Sequence, residues 1–419
     1  MSLAQTLPAR RRPLVLRHPS LLIFLAILAL FTVIVTLLSE GAGLGVIPTS
    51  VVKTLGKTLA LCLVALAMDL VWGYCGILSL GHMAFFGLGG YAIGMWLMYE
   101  RTRLIVVDNL AAAGLPPTPE EISSGIATQI FGVVGASDIP AIWSLAHALP
   151  LQLAAVVIVP GLLALVFGWL AFRSRVTGVY LSILTQAMTL ALALWLFQND
   201  NGLRGNNGLS GLQYLPGLED VPQSRVSLWF LWASALALGA AYALATWVVS
   251  GKFGSVLRGI RDDEARVRFL GYPVEAYKLV VFTLSAVLAG IAGALYYPQA
   301  GIINPAELAP IASIYLAVWV AIGGRGRLYG AVIGAAFVSL LSTLFTGGQV
   351  PDLTLGPVTV QWVDWWTVIL GLSFVAVTLF APKGLGGLVD HLTARRSPDR
   401  HGRDLGPDAG SFREQEAEK

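Results

Sequence analysis

Gly76-Ile77-Leu78-Ser79-Leu80-Gly81-His82-Met83-Ala84 reads position by position against Gly301-Ile302-Ile303-Asn304-Pro305-Ala306-Glu307-Leu308-Ala309: Gly, apolar, apolar, small polar, apolar, small, ionisable, apolar, Ala. Each copy interrupts an otherwise apolar run. In lipid, irregular backbone is tolerated only where protein or a water-filled cavity surrounds it. Paired interruptions in the two halves of a chain mark a path through the membrane. The bland alternative is two unrelated Gly-rich turns.

Composition supports the membrane reading. Of 419 residues, 56% are hydrophobic and 12% charged, and the mean hydropathy is +0.73; a soluble domain is excluded on those terms. The 46 glycines suit close contacts between helices in lipid. A net charge of +3, dispersed along the chain, gives no reason to expect a nucleic-acid partner. Cys62 and Cys75 sit in or beside apolar runs and read as small packing residues. No C-x-x-C or His/Cys ligand spacing occurs, nor a G-x-x-x-x-G-K-[ST], G-x-S-x-G or H-E-x-x-H pattern. Neither a cofactor, a metal, ATP hydrolysis by this chain nor enzyme catalysis is expected.

Apolar windows long enough for a ~30 Å hydrocarbon core fall near 20–38, 53–72, 83–99, 151–172, 178–198, 226–248, 278–298, 311–323, 327–346 and 365–381. The eighth is short. Arg10, Arg11, Arg12 and Arg17 precede the first window, which exceeds the ~7–15 residues of a signal peptide core and reads as a retained span. With a cytoplasmic N-terminus, 21 of the 27 Lys and Arg lie in or beside cytoplasmic segments; Lys53, Lys57, Arg101, Arg103, Arg204 and Arg225 remain. The first interruption then follows an inward span and the second an outward one. The expected fold is an all-α integral membrane protein of about ten transmembrane helices, in an inverted five-plus-five repeat with broken helices near the midplane. The expected division is a cytoplasmic N-tail at 1–19, a transmembrane domain at 20–385 and a polar, disordered cytoplasmic tail at 386–419.

Two external segments stand out. Residues 100–140, with Pro116, Pro117 and Pro119 beside Glu120 and Glu121, read as an irregular loop holding at most a short helix. Within 199–225, the run Asn199 to Gly208 is densest in Asn and Gly, which makes it either a turn-rich loop or an external gate offering amide groups through Asn206 and Asn207. On the cytoplasmic side, 250–277 contains a short charged helix. Ser255 is its expected cap, Val256, Ile260, Val267 and Leu270 its apolar face, and Gly271 with Pro273 its stop. It reads as a solvated interfacial helix or as a docking helix carrying Arg258, Arg261, Asp262, Asp263 and Glu264.

Ser79, His82, Asn304 and Glu307 are the candidate polar ring between the interruptions. Gln186 in the fifth span is interhelical glue or a path-lining amide, and Phe85 a packing aromatic or a gate. Asp69, alone in an apolar run, costs roughly 2.5–3.5 kcal/mol on insertion scales and requires a partner. It serves either function or a structural hydrogen bond.

The run Asp69 to Phe86 resembles the signature of bacterial ATP-binding cassette importer permeases of the branched-chain amino acid type. The likeness continues through Asp263-Glu264 to Gly271, Tyr277-Lys278-Leu279, Ala289 to Tyr296 and Gly323-Gly324-Arg325-Gly326, covering most of 50–385. Asn206-Asn207-Gly208 and Gly301 to Pro305 most resemble the urea-transport subgroup. The resemblance implies a ten-span permease in the bacterial inner membrane, both termini cytoplasmic. Its implied partners are a second homologous permease, two cytoplasmic ATPases and a periplasmic substrate-binding protein. It also implies that Ser255–Gly271 couples to the ATPase, although Glu264-Ala265-Arg266 departs from the usual Glu-Ala-Ala pattern. Urea is the substrate so implied, and a branched-chain amino acid the alternative.

Overall fold

The computed structural model describes residues 19–387, except 43, 136–137, 348–352, 356–357 and 381–383. Of the two expected tails, 1–18 and 388–419 lie outside the described residues. In chain order the helices are α1 (Pro19–Leu38), α2 (Thr49–Cys75), α3 (His82–Ala112), α4 (Pro119–Phe131), α5 (Leu149–Arg173), α6 (Val179–Phe197) and α7 (Gln223–Ser250). There follow α8 (Lys252–Asp262), α9 (Glu264–Phe269), α10 (Val274–Ala300), α11 (Pro310–Gly323), α12 (Leu328–Thr346) and α13 (Trp362–Phe380). Each of the ten expected windows falls on one of these helices. Seven are long and apolar enough to cross a membrane, while α11 and α13 are apolar but shorter.

The helix α2 is the axis of the body. Its most apolar window is 83% buried, against 17% for α1, so α2 is enclosed by protein where α1 presents its surface outward. Around it pack α7, α10 and α12; α10 also packs along α3 and α5. Glycine sets the spacing between α3 and α10. A Cβ on Gly89 would stand 2.0 Å from the Gly290 carbonyl oxygen, and one on Gly293 1.8 Å from that of Phe86, so the two backbones touch.

Helices α2 and α10 run antiparallel. Gly56, early in α2, lies against Gln299 at the end of α10, whereas Cys75, the last residue of α2, lies in the field of Lys278 at the start of α10. The two interruptions that follow these helices therefore leave from opposite ends of one antiparallel pair, as the inverted reading requires.

The segment 100–140 is more regular than its composition suggests. Helix α3 runs on to Ala112, with an Arg103–Glu100 ion pair of 2.8 Å one turn apart supporting the extension. Thr118 and Glu121 then form a reciprocal capping box, with Pro119 in the first turn, and start α4. Ile126 and Ile130 of α4 are fully buried, and Gly125 lies against Val106 of α3. Among the described residues strand structure is confined to two short antiparallel pairs: β1 (Leu209–Ser210) with β2 (Ile302–Ile303), and β3 (Leu353–Leu355) with β4 (Val358–Val360).

Candidate functional site

The first interruption begins where Gly76, at φ +79°, ends α2 in the left-handed conformation that suits glycine. The exposed backbone beyond it is held by α6. Ser182 Oγ donates to the Leu78 carbonyl at 2.7 Å, Leu80 N–H donates to Thr185 Oγ1 at 3.0 Å, and Thr189 Oγ1 donates to the Leu80 carbonyl at 3.4 Å. Spacing of three and four residues puts these three hydroxyls on one face of α6. Gln186, the amide singled out in the sequence, is half-buried beside them and has none of these contacts. The i, i+3, i+7 hydroxyl pattern in an otherwise apolar span was the available signal.

Ser79 is buried, and its Oγ accepts from Gly81 N–H at 3.4 Å. His82 is fully buried, with Nε2 3.1 Å from Ser285 Oγ of α10. Phe85 and Phe282 stand edge-on to its ring, and Phe172 stands edge-on to Phe282. Phe85 and His82 are thus both packed inside the body, His82 beside a hydroxyl.

The second interruption begins at Gly301, φ +86°. Ile302 and Ile303 pair with Ser210 and Leu209, placing the Asn- and Gly-rich segment against this break. Gly208 is its closest point, since an added Cβ there would lie 2.0 Å from the Ile303 carbonyl oxygen. Asn206 and Asn207 are exposed. The buried polar group of that segment is Arg204, which donates from Nη1 to the Gly208 carbonyl at 3.2 Å. Asn304 Oδ1 accepts from Ala306 N–H at 2.9 Å and caps a single turn, Pro305–Leu308. Leu308 fills the space left by Gly87 of α3. Glu307 is half-buried within electrostatic reach of Tyr297, Tyr296, Tyr91 and Lys57. The Tyr91 hydroxyl is buried and has no hydrogen-bond partner among the described residues.

Ser79, His82, Asn304 and Glu307 do not close into one ring. His82 starts α3, whereas Glu307 lies by Tyr91, nine residues and about 13 Å further along that helix. Because the preceding helices are antiparallel, equivalent positions of the two copies fall at different depths. The helix starts beyond the breaks meet instead. Met83 N–H, in the first turn of α3, donates to Ser313 Oγ, in the first turn of α11, at 3.2 Å. With 14 residues, or about 21 Å, α11 falls short of a full crossing. Two helix N-termini, each a positive dipole end, thus meet within an apolar body.

Asp69 is fully buried and makes a hydrogen bond to backbone. Its Oδ1 accepts from Gly326 N–H at 2.7 Å, with Gly73 leaving room for the contact. The charged segment is two helices, not one. Helix α8 begins at Lys252, so Ser255 lies inside it, and Asp263 Oδ1 caps α9 by accepting from Arg266 N–H at 3.0 Å. A carboxylate that can reach its own backbone two or three residues on ends α8 and starts α9. Leu257 joins Ile260 and Val267 in the buried face, while Leu270 is exposed. Arg258 donates to the Val249 carbonyl at the end of α7, and Arg261 donates from Nε to Asp262 and from Nη1 to the Gly73 carbonyl. Glu264 bridges Lys278 and Arg268, and Arg268 also pairs with Glu275, fastening α9 to α10. Gly271, at φ +87°, follows the end of α9.

A family described as the branched-chain amino acid transport system permease component matches residues 50–378, more than three quarters of the chain. The chain belongs to this family. The permease is thus a component of a transport system and a multi-pass membrane protein. It is similar to the high-affinity branched-chain amino acid transport system permease protein LivM of Escherichia coli K12, 26% identical over 145 residues, or 34% of each chain. It is also similar to the autoinducer 2 import system permease protein LsrC. For that of E. coli O9:H4, identity is 28% over 33% of this chain and 39% of the relative. For that of Klebsiella pneumoniae it is 28% over 40% and 45%. The matches thus span between a third and a half of these curated relatives. No solved structure matches.

Proposed function

We propose that this permease carries urea or a short amide inward as the membrane subunit of an ATP-driven importer. The observation that carries the reading is the meeting of the α3 and α11 starts at Met83 and Ser313, where polar backbone lies inside an apolar body. A small neutral solute rich in donors and acceptors suits a path offering hydroxyls and backbone amides, among them the unpartnered Tyr91 hydroxyl near Glu307. The path runs past Ser79, Asn304 and Glu307, with Asn206 and Asn207 at its external mouth. The likeness of Asn206-Asn207-Gly208 and Gly301 to Pro305 to the urea-transport subgroup supports the same substrate.

The partners are a second homologous permease, two cytoplasmic ATPases and a periplasmic substrate-binding protein, in a bacterial inner membrane with both termini cytoplasmic. The ATPase docks on the α8–α9 side. Phe269 there is 92% exposed and Leu270 71%, an apolar tip left uncovered by the described residues and flanked by Arg266. Arg258 and Glu264 support that surface from beneath.

One observation favours a second reading, a branched-chain amino acid as substrate: Lys57 and Glu307 lie in each other's field and present opposite charges suited to a zwitterion. Uptake of labelled urea and labelled leucine, by cells carrying the complete gene set with and without this subunit, separates the two. Subunit-dependent urea uptake that resists excess leucine supports the first reading; leucine uptake with no urea uptake supports the second. Uptake without any ATPase refutes both in favour of a self-contained channel or carrier.

A further inference from the structure

A groove separate from both interruptions lies where the end of α5 meets the start of α10. It encloses about 350 Å³ and is lined by Trp169, Phe172, Arg173, Arg175, Glu275 and Leu279. Two of these are cations, and the one carboxylate is already committed, since Glu275 Oε1 accepts from Arg268 at 2.5 Å. The Arg173 guanidinium lies 5.3 Å from the Trp169 ring centre, over its face. Arg175 holds a positive φ of 56°, uncommon for a residue with a side chain, at the turn that leads from α5 towards α6.

Above the groove the surface is apolar. Leu162, Val166 and Trp169 are 56%, 50% and 49% exposed, and at intervals of four and three residues they form one stripe along α5. Val280, 54% exposed, continues that surface on α10. A cationic notch beneath an exposed apolar stripe, with a tryptophan at the junction, is the arrangement that takes a charged headgroup below and an acyl chain above.

We propose that this groove binds an anionic phospholipid, with the phosphate between Arg173 and Arg175 and an acyl chain along Leu162 and Val166. The occupant is a lipid and not a soluble anion, because the charge sits at one end of a continuous apolar track. The site adds to the permease a lipid requirement at the side that carries α8 and α9.

Native mass spectrometry of the full-length chain, titrated with phosphatidylglycerol or phosphatidylcholine, tests the proposal. Phosphatidylglycerol should bind preferentially, and R173Q/R175Q should weaken it about thirtyfold, at roughly fivefold per arginine. R173K/R175K should retain most of the affinity, and R225Q, on the opposite side, all of it. Should the glutamine variant fail to fold, a photoreactive phosphatidylglycerol on the unaltered chain should label peptides containing 162–176 and 275–280. Equal binding of phosphatidylcholine, full affinity in R173Q/R175Q, or labelling confined elsewhere would overturn the proposal. So would equal occupancy by soluble glycerol phosphate, or loss of the bound lipid once the partner subunits assemble, since a protein surface would then own the groove.

Discussion

Arg261 of α8 donates from Nη1 to the carbonyl oxygen of Gly73, near the end of α2, at 2.9 Å. The same side chain packs on Gly76, the residue at which the first interruption begins. One guanidinium therefore joins the proposed ATPase-facing segment to the backbone of the break, and any displacement of α8 is felt there without an intermediary. Beside this contact, Asp69 Oδ1 accepts from the N–H of Gly326, in the turn between α11 and α12, and so ties that turn to α2.

Arg261→Ala should uncouple the two ends. The lost charge-assisted bond is of the order of 1.5–3 kcal/mol, so uptake should fall by roughly tenfold or more while ATP hydrolysis by the assembled complex persists. Parallel assays of uptake and phosphate release in proteoliposomes measure the ratio; a proportional loss of both, or no loss, removes Arg261 from the coupling route.

Thr185→Val should loosen the first break. It strands the Leu80 N–H in a part-buried site, which costs about 1–3 kcal/mol, and thermal unfolding should shift down accordingly. Thr185→Ser should restore the hydrogen bond. Gln186→Leu should change stability by no more than about 0.5 kcal/mol, since Gln186 has none of the contacts that bind the break.

Gly89→Ala and Gly293→Ala should each force α3 and α10 apart, at about 1–3 kcal/mol or more, because the added methyl meets backbone at 2.0 and 1.8 Å. Gly371→Ala, with nothing within 4 Å, should be neutral or stabilising by up to about 1 kcal/mol. Melting temperatures of the purified variants decide; equal shifts for all three would mean that helix propensity outweighs packing.

Lys278→Met should free α9 from α10. Lys278 is 5% exposed and holds Glu264, leaving Arg268 alone to fasten the short helix. Hydrogen exchange across 264–270 should speed up severalfold, with no change in α5. Unaltered exchange there would show that Asp263 capping and Val267 burial hold α9 without the ion pairs.

Much of this was legible in the residues. The all-α membrane architecture, the helices on which all ten apolar windows fall and the antiparallel run of the helices before the two copies follow from hydropathy, charge and the glycines at 76 and 301. What escaped has physical causes. Glu100-Arg101-Thr102-Arg103 reads as a loop because its charges break the apolar pattern, yet an ion pair one turn apart and apolar residues after it carry α3 to Ala112. Asp263 lies in the middle of a charge run, where its capping role is masked by its neighbours. Ser182, Thr185 and Thr189 share one face of an apolar helix by their spacing, but what they hold shows only once the backbone of Leu78 and Leu80 is placed against them. His82 and Glu307 correspond in the pattern but not in space, since the helices that precede them are antiparallel and equivalent positions leave from opposite ends of the pair.

The most direct test of the account is uptake of labelled urea by vesicles containing the complete transporter, with this subunit native, Asn304→Leu or Ser79→Leu. Assembly and ATP hydrolysis are followed in the same preparations. If the paired breaks line the path, Asn304→Leu abolishes uptake while the complex assembles and hydrolyses ATP, and Ser79→Leu does the same wherever it folds. Native uptake in an assembled Asn304→Leu complex would contradict the account, because the second break would then bound no path.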